Sequence, residues 1–200
     1  MGKVLGLTGG IATGKTTVVN IFKERGYPIV DGDVIAREVV EPGKEGLVAI
    51  VEKFGTEILL ENGQLNRKKL GAIIFSDDNK RKQLDSTLGP FIRTEIIKKI
   101  EQEKKRNQLV IADIPLLYEY HYESLVDKVA VVYIPETLQL KRLMARNQLT
   151  KEEAFSRIKS QWSIEEKKKK ADIVFDNQGT LAETRTQVLS WIDSFLKNTE

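Results

Sequence analysis

The residues Gly9-Gly10-Ile11-Ala12-Thr13-Gly14-Lys15-Thr16 satisfy the pattern G-x-x-x-x-G-K-[ST] in full. Glycines let the backbone bend until several N–H groups point inward at one anion. A helix that starts where the loop ends presents its positive end to the same place. Lys15 brings a full charge to the outer phosphates of a bound nucleotide, and Thr16 brings a hydroxyl suited to Mg²⁺, which keeps most of its water shell. The pattern needs a strand before it and a helix after it. Val4-Leu5-Gly6-Leu7 reads as a short buried strand. Lys15–Arg25 carries Val18, Val19, Ile21 and Phe22 at mostly helical spacing before Gly26 ends it.

Pro28-Ile29-Val30 gives a second strand ending at Asp31. A β-loop-α-β opening predicts an α/β fold built on a doubly wound parallel sheet. From Val34 to Arg106 no strand is evident. Asn66 precedes Leu70, Ile73 and Ile74; Asp77 precedes a segment with Leu84 and Leu88; Pro90 stands where a helix could start, ahead of Ile92, Ile96, Ile97 and Ile100. Roughly 75 residues between strands far exceeds a simple crossover of about a dozen, so this stretch reads as an inserted helical subdomain.

Leu109–Ala112 with Asp113, Val129–Ile134 and Ile173-Val174-Phe175 read as further strands, and Leu138–Asn147 and Thr150–Gln161 as two helices. Thr150 with Glu153, and Thr180 with Glu183, have capping-box spacing. Leu181, Val188, Ile192 and Phe195 mark one face of a last helix, and the run Lys167–Lys170 reads as a solvated helix end. The expected division is a nucleotide-binding core (1–33, 107–136 and 171–200), a helical acceptor domain (34–106) and a helical lid (137–170).

Composition removes other chemistries. The 200 residues contain no cysteine, which excludes disulfides, thiolate metal sites and a cysteine nucleophile; His121, the single histidine, cannot build a histidine metal cluster. A net charge of +3 from 32 basic and 29 acidic residues is too even for a genome-binding protein and leaves anionic small molecules as partners. No apolar run approaches the roughly 18 residues of a membrane span, and the N-terminus lacks a signal-peptide layout. The expectation is a cytoplasmic monomer that binds neither nucleic acid nor membrane.

Asp113 ends an apolar strand, the layout of a carboxylate near nucleotide-bound Mg²⁺; a plain strand-end aspartate is the alternative. The loop alone serves GTPases, ATPases and small kinases. No N-K-x-D guanine signature is present, and the D-x-x-G match at Asp176-Asn177-Gln178-Gly179 lies far down the chain. Arg142 and Arg146 are four apart on one helix, with Arg157 on the next. Such a pair of helices reads as a lid that excludes water and stabilises transferred charge, against ordinary surface charge as the alternative.

Asp31-Gly32-Asp33 closes the second strand, at the carboxyl edge where doubly wound sheets bind ligands. Asp33 there suits a general base that orients an acceptor hydroxyl; an N-cap for Val34–Val40 suits aspartate as well, and Asp31 fits either role. These features favour an ATP-dependent small-molecule kinase acting on a nucleoside, nucleotide or sugar-like acceptor. A nucleotide switch or assembly module is the rival of another class.

The segments Gly6-Leu7-Thr8-Gly9-Gly10-Ile11, Asp31-Gly32-Asp33-Val34-Ile35-Ala36-Arg37, Pro115-Leu116-Leu117-Tyr118-Glu119, Gln139-Leu140-Lys141-Arg142-Leu143 and Ala171-Asp172 with Asn177-Gln178-Gly179 together resemble the dephospho-CoA kinase family, in order and over nearly the whole chain. The resemblance implies phosphorylation of the ribose 3′-hydroxyl of dephospho-CoA by Mg·ATP, the last step of coenzyme A synthesis. It implies that Ile11, Ala12, Thr13, Gly14, Lys15, Thr16 and Thr17 hold the ATP phosphates, with Thr16 and Asp113 toward Mg²⁺. It further implies that Asp33 is the base and that Thr8, Arg37 and Arg93 face the acceptor. Arg142 and Arg146 belong to the lid, and Asn177 lies near the adenine. Two positions depart from the family pattern: Gly32 stands for an alanine, and Gly89 for a histidine ahead of Pro90.

Overall fold

Six of the seven residues of β1 (Lys3–Gly9) are buried. A strand covered on both faces belongs in the middle of a parallel sheet whose crossovers carry helices. In the computed structural model, which describes residues 2–197, β1 lies between β3 (Leu109–Asp113) and β4 (Lys128–Tyr133). With β2 (Ile29–Asp31) and β5 (Ile173–Asp176) the sheet order is β2-β3-β1-β4-β5. The β1–β3, β1–β4 and β4–β5 ladders are parallel, with Leu7 opposite Asp113 and Gly9 opposite Val132. This is the doubly wound α/β sheet that the opening motif predicts.

Helix α1 (Lys15–Glu24) buries Val18, Val19, Ile21 and Phe22 against the sheet. The C-terminal helix α9 (Leu181–Lys197) adds Val188 and Ile192 to the same core. Phe22 makes edge contacts with Tyr27, Phe175 and Trp191, with centroids 6.0–6.2 Å apart; such pairs contribute about 0.5–1.5 kcal/mol beyond burial. At Gly6 a Cβ would stand 2.7 Å from Leu117 Cδ1, so a larger residue there would force Leu117 to shift. After β4 come α6 (Glu136–Asn147), α7 (Lys151–Lys159) and α8 (Ile164–Lys170). Thr150 and Glu153 form the capping box the spacing predicts, and Thr180 and Glu183 bond reciprocally ahead of α9.

The chain divides into two compact units: the described part of Met1–Val30 with Gln102–Glu200, and Asp31–Glu101. The second contains α2 (Gly32–Glu38), α3 (Glu45–Phe54), α4 (Arg67–Ser76) and most of α5 (Asp78–Lys104). Asn66 caps α4 by accepting from the Lys69 N–H at 3.0 Å.

One expectation fails here. Pro90 does not start a helix; α5 runs through it for 27 residues. A residue before proline is disfavoured in the helical region by contact of the proline ring with its N–H and its Cβ. Gly89 has no Cβ, which removes part of that clash, while the missing N–H of Pro90 remains a local cost. A side chain at 89 would otherwise enter open space.

Candidate functional site

The loop between β1 and α1 takes its shape from two left-handed residues, Ala12 at φ +61° and Gly14 at φ +88°. At Gly14 a Cβ would also collide with the Asn177 carboxamide. No side chain caps α1 and its first turn holds no acidic residue. The N–H groups of Lys15 and Thr16 are therefore available to an anion, which the helix end favours, while Thr17 N bonds Gly14 O at 2.9 Å. Lys15 sits in the first turn of α1, and its ammonium pairs with the Asp113 carboxylate, both side chains being largely buried. Thr16 is exposed beside it and Thr17 half-buried. The ladder register puts Asp113 beside Leu7, two residues before the loop. One carboxylate and one hydroxyl make a hard-oxygen donor pair that suits Mg²⁺, which takes one or two protein ligands and otherwise phosphate and water oxygens.

The loop is held from outside by four side chains. Gln139 Nε2 donates to Ile11 O at 2.8 Å, and Gln161 Oε1 accepts from Ile11 N at 2.9 Å. Asn177 Nδ2 donates to Thr13 O at 2.8 Å, and Thr184 Oγ1 donates to Asn177 Oδ1 at 2.8 Å. Lys167 Nζ donates to Gly9 O at 3.3 Å and Pro115 O at 3.2 Å, and meets Glu119 Oε1 at 2.8 Å. Ile11 and Ala12 pack on a small core of Leu143, Ala154 and Ile158, which joins the loop to α6 and α7.

Several expectations change at this point. Lys167 is fully buried, so the run Lys167–Lys170 is not a uniformly solvated helix end. Only Lys168, Lys169 and Lys170 are exposed. Ser163 and Glu166 form a capping box that fixes the phase of α8, and Lys167 falls three residues after the buried Ile164, on the same face. Burial pushes the Lys167 ammonium below the ordinary lysine value, against the opposing pull of Glu119.

Thr8 is fully buried and its hydroxyl donates to Pro115 O at 2.8 Å, which ties the end of β1 to the turn after β3. Thr13 is buried too; its hydroxyl and its N–H both bond Gly10 O. Asn177 spends its carboxamide on the loop and on Thr184, which makes this side chain a support for the phosphate cradle. The two arginines of α6 part company. Arg142 is half-buried and donates to Asn177 O at 3.0 Å, whereas Arg146 is exposed and bonds Asn147 Oδ1 at 2.8 Å. Arg157 is exposed on α7.

In the second unit, Asp31 is the helix cap. Its Oδ1 accepts from Asp33 N at 2.8 Å and Val34 N at 3.0 Å. Asp33 lies in the first turn of α2 and is exposed; its N–H is capped but its side chain takes no part in the cap. Among the described residues no side chain bonds its carboxylate. Arg37 ends the same helix with an exposed side chain, its carbonyl accepting from Arg67 at 3.3 Å. Arg93 is half-buried on α5.

Reading the sequence missed Gln139, Gln161, Lys167, Glu119 and Thr184. Gln139 carried one usable signal: it stands four residues before the buried Leu143, on the inward face of α6.

Comparison with known proteins gives a single answer. Residues 3–183 match the family model described as dephospho-CoA kinase. A dephospho-CoA kinase of Enterococcus faecalis is 64% identical over 193 residues, covering 96% of this chain and 97% of the relative. One of Listeria innocua is 51% identical over 199 residues, 99% of this chain and 100% of the relative. The solved structure of the enzyme from Campylobacter jejuni superposes with a TM-score of 0.78 at 33% identity over 100% of both chains.

Proposed function

The chain belongs to the dephospho-CoA kinase family, and from that premise we propose which residues carry the reaction. The protein is a kinase that phosphorylates dephospho-CoA with ATP in coenzyme A biosynthesis. The observation that carries the assignment of parts is the uncapped start of α1 behind the glycine loop, with Lys15 held on Asp113.

In our reading the loop from Ile11 to Thr17 receives the ATP phosphates. Backbone N–H groups and the α1 dipole bind them, and Lys15 turns from Asp113 to the β- and γ-phosphates when nucleotide enters. Thr13 contributes through its place in the loop, since its side chain is committed to Gly10. Thr16 and Asp113 would hold Mg²⁺, which neutralises charge on the phosphate oxygens.

Asp33 is assigned as the base for the ribose 3′-hydroxyl of the acceptor. Asp31 supports that role: by taking the cap, it leaves the Asp33 carboxylate outside it. A carboxylate of ordinary basicity positions the hydroxyl and accepts its proton late in the transfer. Arg37 and Arg93 are assigned to the anionic groups of the acceptor. Arg142 and Arg146 are assigned to the transferred phosphoryl group, with Arg142 pre-placed through Asn177. The working division is a nucleotide core (1–33, 107–136, 171–200), an acceptor domain (34–106) and a lid (137–170), in a cytoplasmic monomer.

A coupled ADP-release assay tests the reading. ADP should appear with dephospho-CoA and not with nucleosides, shikimate or gluconate. Release no faster with dephospho-CoA than without acceptor sinks it.

A further inference from the structure

Lys15 and Asp113 close the site in the free protein, yet both have other partners once nucleotide and metal arrive. Their mutual bond therefore cannot hold the loop and the end of β3 at working distance during transfer. Three links remain. One is the backbone: Ile114 N donates to Leu7 O at 3.0 Å. The second is the Thr8 hydroxyl, which donates to Pro115 O at 2.8 Å. The third is Lys167, whose ammonium bridges Gly9 O, at the foot of the loop, and the same Pro115 carbonyl, two residues past Asp113. The charge is balanced by Glu119, whose Oε1 also accepts from Trp162 N at 3.0 Å.

We infer that Lys167 is a positioning residue for phosphoryl transfer: it fixes the separation of the Lys15-bearing loop and the Asp113-bearing strand end after their own ion pair opens. The inference rests on the loop being the ATP site. Two features set this lysine apart from a merely structural one. It donates to two carbonyls on different strand ends, and it is shut away from solvent. A lysine is suited to the task because its compact ammonium offers three donors from one atom. A carbonyl on each side and a carboxylate on the third use all of them.

The experiment pairs kinetics with a spectroscopic readout. Lys167→Met should lower kcat/KM for ATP on the order of 10–100-fold, the scale of a sub-ångström to one-ångström misplacement, with KM for dephospho-CoA unchanged. Lys167→Arg should recover most of the loss, and Lys168→Met, one residue along on the exposed face, should behave as the parent. In the unaltered protein, the Lys167 side-chain nitrogen resonance, assigned by its disappearance in Lys167→Arg, should stay protected from exchange and shift little on adding a non-hydrolysable ATP analogue, while that of Lys15 shifts strongly. This measurement decides the matter even if the Met variant does not fold. Unchanged ATP kinetics in a folded Lys167→Met, or loss of Lys167 protection when the analogue binds, overturns the inference. Activity of the parent with dephospho-CoA, measured alongside, separates that failure from a failure of the functional assignment.

Discussion

The phosphate loop and the turn that carries Asp33 are built in opposite ways. The side chains that hold the loop from outside come from Gln139, Gln161, Lys167 and Asn177, at sequence separations of 128, 150, 158 and 164 residues. The turn at the start of α2 is held by Asp31, which bonds N–H groups two and three residues away. A remote frame makes the loop a product of the whole first unit, so its shape survives only if distant helices pack correctly. A local cap makes the Asp33 turn nearly self-sufficient, and leaves its carboxylate exposed for an incoming ligand. Rigid support suits a cradle that must match phosphate oxygens; a free carboxylate suits a group that meets its partner only when an acceptor is bound.

The sharpest way to break this contrast is Lys15→Ala. Turnover should fall by on the order of 10³-fold or more, with the fold intact by circular dichroism; near-normal rates in a steady-state assay would remove the loop from the chemistry. Asp33→Asn should lower kcat by roughly 10²–10⁴-fold while ATP binding, followed by calorimetry, stays close to the parent. Strong loss of ATP affinity there would mean that the turn and the loop are not separate devices.

Asn177→Ala tests the remote frame. It strips the tether from Thr13 O and leaves the buried Thr184 hydroxyl without the Asn177 acceptor, so stability should fall by about 1–3 kcal/mol in urea unfolding and KM for ATP should rise. Asp31→Ala tests the local one. Loss of a helix cap costs about 0.5–2 kcal/mol, and the kinetic change should fall on the acceptor and not on ATP.

The smallest effect is expected at the opposite edge of the sheet, far from the loop. Burial alone would raise the Asp127 carboxyl, but the Val4 N–H at 2.8 Å and Lys3 at 3.0 Å outweigh it and hold it below its usual 3.8. A depressed folded value means stability that is present above 3.8 and lost as pH falls through the folded value. Asp127→Asn should thus melt lower than the parent at neutral pH, and the two curves should converge in acid. A gap that stays constant as the solution is acidified would contradict the assignment.

Much of the site was legible because its logic is local. Gly14 must be glycine for a left-handed turn, Lys15 and Thr16 follow at fixed offsets, and Asp113 ends an apolar run; each fact sits within a few residues of the next. Asp31 and Asp33 were both visible, but composition does not say which of two aspartates at a strand end will cap. Backbone geometry decided it, since only a residue in extended conformation just before the first turn can reach the second and third N–H groups. Pro90 misled for a related reason: its missing N–H and its ring weigh against a helix locally, but they do not outweigh the rest of a 27-residue helix, and Gly89 lacks the Cβ that would add to the clash.

By itself, then, the sequence determined the phosphate cradle, the parallel sheet around it, the long helical insertion and, through the ordered set of segments from Gly6 to Gly179, the family. Only the tertiary structure decided which groups Thr8, Lys167, Asn177, Arg142 and Arg146 bond. The physical reason is that a side chain's role depends on which carbonyl or carboxylate lies within about 3 Å of it. For Lys167 those partners are Gly9, Pro115 and Glu119, brought together by three separate stretches of chain. A row of four lysines looks like a wet surface until the fold turns the first of them inward.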